Sequence, residues 1–177
     1  MTDLAITLTV PDAYALLTRL GAPPRLLTHL RLVGEAAAAV IEKLQEVGVP
    51  FDADFVRLGV ALHDAGKILH PGELDGPGSE HEPDGEKLLI AHGVDPRIAR
   101  CCLSHARWAD MDVSLEELLV ALADKLWKGV RHEELERRVI EAAARGVGKD
   151  FWDVFVEIDT CFEEIAAGGP ERLERSR

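Results

Sequence analysis

Residues 55–64 read FVRLGVALHD, and the fold turns on this stretch. From Phe55 to Leu62 only Arg57 interrupts the apolar run. A helix of that composition is hydrophobic on nearly every side and belongs at the centre of a small protein. Yet the run ends in His63 and Asp64, a polar pair carried into the interior. An unpaired buried carboxylate is costly enough that Asp64 has to meet a counter-charge or a metal ion.

Outward from this helix the pattern stays helical almost throughout, and the chain is expected to be all-α, a single-domain helical bundle. Its 177 residues suffice for one buried core without disulfide or metal staples. Pro11-Asp12 opens a short helix that Gly21 closes, and Pro23-Pro24 starts a long one from about Arg25 to Val47, with Gly48 and Pro50 as stop signals. The central helix is expected over about Asp54–Gly66. The Gly- and Pro-rich stretch between Ile68 and Pro83 reads as loop. Further helices are expected near Asp84–His92, Pro96–Arg107, Leu115–Lys128, His132–Arg145 and Phe151–Ala166. The domain thus divides into a core at about 25–130, C-terminal helices over 131–167, and a polar, frayed tail over 168–177. Only LAITLTV, near the start, alternates cleanly enough for a short extended arm.

Composition narrows the partners. Acidic residues outnumber basic ones by 32 to 20, a net charge of −12 that repels nucleic-acid backbones, and no long Lys/Arg run offsets it. A small substrate is therefore favoured over a polymer. No apolar stretch approaches the roughly 20 residues that cross a bilayer. The opening MTDLAITLTV lacks the basic region of a secretory signal. Cys101 and Cys102 are adjacent and Cys161 is distant, so neither a disulfide framework nor a CxxC zinc word is present, and the expected setting is the reducing cytoplasm. The two vicinal cysteines read as small packing residues.

Polar residues recur where apolar ones belong. Asp124 follows the apolar run LLVALA, His29 shares a helix face with Leu26 and Val33, and His105 shares one with Cys101, Cys102 and Trp108. Taken singly, each has a plain structural reading: a hydrogen-bonded core histidine, or an aspartate paired with a lysine or capping a helix. Together they place metal-ligand residue types on the inner faces of separate helices, which is how helical bundles build metal sites. His92, before Gly93 at a helix end, reads as structural, and His70 and His132 as solvated.

His63-Asp64, continued as HDAGK, resembles the signature word of the HD superfamily, whose metal site combines an earlier His, the His-Asp pair and a distal Asp. His29, His63-Asp64 and Asp124 occur here in that order, over more than half the chain. His81, in SEHEPDGEKLL, resembles the His-x-x-x-Gly word of the two-metal subgroup, and His105, in LSHARW, its further histidine. The resemblance implies a set of His29, His63, Asp64, His81, His105 and Asp124 around one or two divalent metal ions. Asp64 would bridge them, with His29, His63 and Asp124 on one side and His81 and His105 on the other. Imidazole and carboxylate without thiolate suit Fe, Mn, Ni, Co or Zn.

By that resemblance the chain is a metal-dependent phosphohydrolase or phosphodiesterase acting through a metal-bound hydroxide on a small phosphorylated metabolite or nucleotide. Asp64 and Lys67 are the catalytic candidates, and Lys67, Arg107 and Lys128 the expected substrate contacts. The HD-GYP relatives carry a lysine matching Lys67, but no GYP word follows HDAGK here, so cyclic-di-GMP hydrolysis is not implied. The Pro71–Pro83 loop stands to cover the site as a lid. No aromatic platform for a nucleobase is evident beside the ligands. A homodimer is left open by Phe151, Trp152, Phe155 and Phe162, which fall near one helical face. Two other readings stay open: a di-iron HD-type oxygenase, which resembles this ligand set equally, and a non-catalytic nucleotide-binding HD module.

Overall fold

The computed structural model of the chain describes residues 8–177, and among them there is no strand. The architecture is all-α. Ten helices follow in order: α1 Val10–Arg19, α2 Pro24–Val47, α3 Ala53–Leu62, α4 His81–Ala91, α5 Pro96–Ala99, α6 Cys101–Arg107, α7 Leu115–Leu126, α8 Glu133–Val147, α9 Phe151–Ala167 and α10 Gly169–Arg175.

Their ends are set by the chain's own polar residues. Asp52 accepts the Phe55 amide at 3.0 Å and starts α3. Thr9 with Asp12, and Ser114 with Glu117, form reciprocal capping boxes at α1 and α7. Gly48, at φ 91°, takes the left-handed conformation that terminates α2.

The centre is built from α2, α3 and α7, which pack on one another. In α3 every residue from Leu58 to Leu62 is buried, and in α7 every residue from Glu117 to Ala123. Helix α2, at 24 residues about 36 Å long, serves two apolar clusters. Its first turns join Leu17, Leu62 and Leu89 in one, and Val33 through Leu44 join α7, α8 and α9 in the other. His63 and Asp64 stand at the end of α3, in the seam between the two.

Several sequence expectations are corrected. Helix α3 ends at Leu62, not Gly66, and a 3₁₀ turn over Ala65–Ile68 follows. The Gly- and Pro-rich loop holds a second 3₁₀ turn, Pro71–Leu74, and α4 begins within it at His81. Pro96–Arg107 is two helices joined at Arg100, whose φ −57° and ψ −24° keep them nearly continuous. Residues 4–7 of the suggested arm lie outside the described residues, and Val10 already belongs to α1. The tail is not frayed. It forms α10, where Arg172 donates to the carbonyls of Trp127 (2.6 Å), Leu126 (3.1 Å) and Ile165, while Arg175 pairs with Glu35. Of the α9 aromatics, Phe162 is fully buried with Phe151 and Phe155 packed against the same core, while Trp152, in ring contact with Phe151 and Phe155, is 74% exposed.

Candidate metal centre

Asp64 is the point on which the polar interior converges. Its Oδ2 lies 2.9 Å from His29 Nε2, 3.3 Å from His63 Nε2 and 2.9 Å from Lys67 Nζ. Its Oδ1 faces His81 Nε2 at 3.4 Å and His105 Nε2 at 3.5 Å. Asp124 closes the other side, with Oδ1 3.4 Å from His63 Nε2. The residues fall into two groups sharing Asp64: His29, His63, Asp64 and Asp124, and Asp64, His81 and His105. Within each group the ligand atoms lie within 4.8 Å of one another.

Two glycines make the second group possible. A Cβ on Gly66 would meet the His81 carbonyl oxygen at 1.8 Å, and one on Gly85 would meet the Gly66 amide nitrogen at 2.8 Å. The backbone after Asp64 and the first turn of α4 thus touch directly, and this contact sets His81 beside Asp64.

The imidazoles are held in one orientation. His63 Nδ1 donates to the Val60 carbonyl at 2.7 Å and His105 Nδ1 to the Cys101 carbonyl at 2.9 Å, each within its own helical turn. His81 Nδ1 is bonded to the carboxylate of Glu73, which also accepts the amides of Glu80 (3.2 Å) and His81 (3.0 Å). With hydrogen on Nδ1, a neutral ring directs its Nε2 lone pair inward. Asp64 Oδ1 and His63 Nε2 are buried and lack a hydrogen-bond partner among the described residues.

Lone pairs facing a carboxylate at such distances repel unless a cation lies between them. Burial pushes His63 down, but the carboxylates of Asp64 and Asp124 outweigh it and hold the ring up to about 10. Burial raises Asp64, yet His63, His29 and His81 keep it well below the usual carboxylate range, and Asp124 is lowered similarly by His63. His105 is pushed down by burial and by the neighbouring His63. The centre therefore calls for positive charge. A donor set of imidazole and carboxylate with one orphaned oxygen fits one or two divalent metal ions.

A cavity of about 570 Å³ opens onto Asp64, His29, His81, His105 and Asp124. Glu73 to Gly78 of the loop form one wall, so the loop does sit over the centre, and the exposed pair Arg25–Asp75 spans its mouth. Of the three expected substrate contacts, Lys67 and Lys128 line the cavity and Arg107 does not. It is half exposed and pairs with Glu82 at 2.8 Å. Trp127, unanticipated as an aromatic neighbour, lines the cavity with its ring edge-on to His29 at 4.9 Å. The sequence reading also missed Arg25, Glu73, Lys125, Leu173 of α10 and Ser176 just beyond it.

The other polar candidates fall outside the centre. His92 donates to the Leu88 carbonyl, His132 caps α8, and His70 pairs with Asp84 at 2.7 Å. Cys101 and Cys102 are fully buried, and burial pushes the Cys101 thiol up to about 12.

A family model described as HD domain matches residues 26–127, more than half of the chain and all six converging residues. The chain belongs to the HD-domain family. No curated protein and no solved structure gives a significant match. HD domains bind divalent metals and are typical of metal-dependent hydrolases, and this HD domain carries His/Asp groups able to hold such an ion. No helix among the described residues is long and apolar enough to cross a membrane.

Proposed function

We propose that the chain is a metal-dependent phosphohydrolase acting on a small phosphorylated metabolite or nucleotide. The observation that carries this reading is the convergence of four imidazole Nε2 atoms and two carboxylates on a centre at the floor of a cavity. When bound, one or two divalent ions would supply positive charge for the phosphoryl oxygens and acidify a water. His29, His63 and Asp124 would hold one ion and His81 and His105 the other, with Asp64 offering one oxygen to each side.

The remaining residues serve the substrate. Lys67, held at 2.9 Å from Asp64, sits where it can exchange that carboxylate for a phosphoryl oxygen and bear charge as it develops there. Trp127 and the Glu73–Gly78 wall limit water access to the floor. The half-buried lysines in an otherwise acidic chain favour an anionic substrate over a neutral one.

Metal content and turnover of generic phosphate esters test the reading in wild type and Asp64→Ala. Metal-dependent phosphate release, lost together with the metal in the variant, is expected. Oxygen consumption by the iron-loaded protein without phosphate release would overturn it in favour of an oxygenase.

A further inference from the structure

Four cations line the cavity: Arg25, Lys67, Lys125 and Lys128. Lys67 is engaged with Asp64 and Arg25 with Asp75. Lys125 and Lys128 are half-buried, and neither pairs with a carboxylate among the described residues. In a chain with 32 acidic and 20 basic residues, two neighbouring lysines without a partner call for an explanation. Lys125 stands in the last turn of α7 and Lys128 in the turn just beyond its end, and both line the cavity.

The plainest structural role for lysines there is to neutralise the carbonyl end of the helix. Arg172 already does so, through its bonds to the Leu126 and Trp127 carbonyls. Neither lysine lies within salt-bridge distance of Asp124, whose carboxylate faces His63. What the two ammonium groups do share is the cavity. Its volume of about 570 Å³ is well beyond what a single phosphate fills and lies in the range of small-molecule sites.

We infer that Lys125 and Lys128, with Arg25 across the mouth, form a second anion-binding position beside the metal centre, and that the substrate carries two phosphoryl groups. This rests on the phosphohydrolase reading for the group at the centre. The second phosphoryl group meets the two lysines and draws Arg25 from Asp75, exchanging one carboxylate for a more highly charged anion. Nucleoside diphosphates and other small bis-phosphorylated compounds are the class that fits.

Inorganic pyrophosphate and orthophosphate probe this without commitment to any organic moiety. In metal-loaded wild type, acylation of lysines is followed residue by residue by mass spectrometry. Pyrophosphate should slow labelling of Lys125 and Lys128 at least about fivefold and orthophosphate less than about twofold, with the exposed Lys149 unchanged. In Lys125→Met/Lys128→Met, pyrophosphate affinity should fall at least about tenfold and orthophosphate affinity less than about twofold. Equal labelling with and without pyrophosphate overturns the second position, whatever the turnover. Selective protection in a protein that hydrolyses no phosphate ester would uphold it while the hydrolase reading falls.

Discussion

Replacing Gly66 with alanine tests how the second half of the centre is assembled. The new Cβ would lie 1.8 Å from the His81 carbonyl oxygen, 2.6 Å from its carbonyl carbon and 2.8 Å from the Gly85 amide nitrogen. All three are backbone atoms, so no side chain can swing aside. Relief to an ordinary carbon–oxygen contact of about 3.3 Å requires the 3₁₀ turn and α4 to part by about 1.5 Å. Such overpacking costs about 1–3 kcal/mol or more. Reduced unfolded-state entropy returns only about 0.4–1 kcal/mol. A net loss of about 2 kcal/mol lowers Tm by roughly 4–8 °C in a chain of this size.

The same displacement withdraws His81 from Asp64, whereas a metal site tolerates only about 0.2 Å in its bond lengths. Gly66→Ala should therefore lose the ion held by His81 and His105 and keep the one at His29, His63 and Asp124. Thermal denaturation and elemental analysis read the two effects. Gly72→Ala, whose Cβ meets nothing within 4 Å, is the control. A Gly66→Ala protein matching that control in both Tm and metal content would refute the close-approach account.

Three further outcomes are expected. Glu73→Ala should weaken the ion at His81 and His105 by about 10- to 100-fold, as loss of a carboxylate that orients a metal-binding imidazole does; competitive chelation measures it, and an equal loss at both ions would refute a role specific to His81. Asp64 and Asp124 hold His63 up to about 10, so the metal-free ring is protonated at neutral pH and an ion must displace that proton. Affinity should then rise about tenfold per pH unit below 10 with one proton released, by calorimetry in buffers of different ionisation enthalpy; a flat profile from pH 6 to 8 would contradict it. Arg172→Ala leaves the carbonyls of Leu126 and Trp127 without their donor and should destabilise the protein by about 1–3 kcal/mol in urea denaturation, an effect whose absence would deny α10 its role as a cap on α7.

The helices that proved legible are those whose signals are local. Phe55–Leu62 is apolar but for Arg57, and α2 is bracketed by Pro23-Pro24 and by Gly48, so its observed span of Pro24–Val47 departs by one residue from expectation. The failures have tertiary causes. Asp64 leaves the helix because the following backbone must meet α4 at Gly66 and Gly85, although both glycines stood in motif words. The polar tail is ordered by partners at Trp127 and Glu35, 45 and 140 positions away, which no local pattern displays.

At the candidate centre, the same counting separates what the sequence could find from what it could not. His105 and Arg107 are two positions apart on α6, and such residues do not share a face. His105 turns to Asp64 and Arg107 turns away to Glu82. Lys128 is four positions beyond Asp124, which returns it to the same face, and it lines the cavity. Both residues were expected as substrate contacts, and helical phase accounts for why Lys128 lines the cavity and Arg107 does not. Glu73 had no such signal, because a loop residue has no period. It reaches His81 only because the turn at Pro71–Leu74 doubles back across the eight positions between them. Side chains on helices were accessible to sequence reasoning through their phase, and those on the loop only through the folded path of the chain.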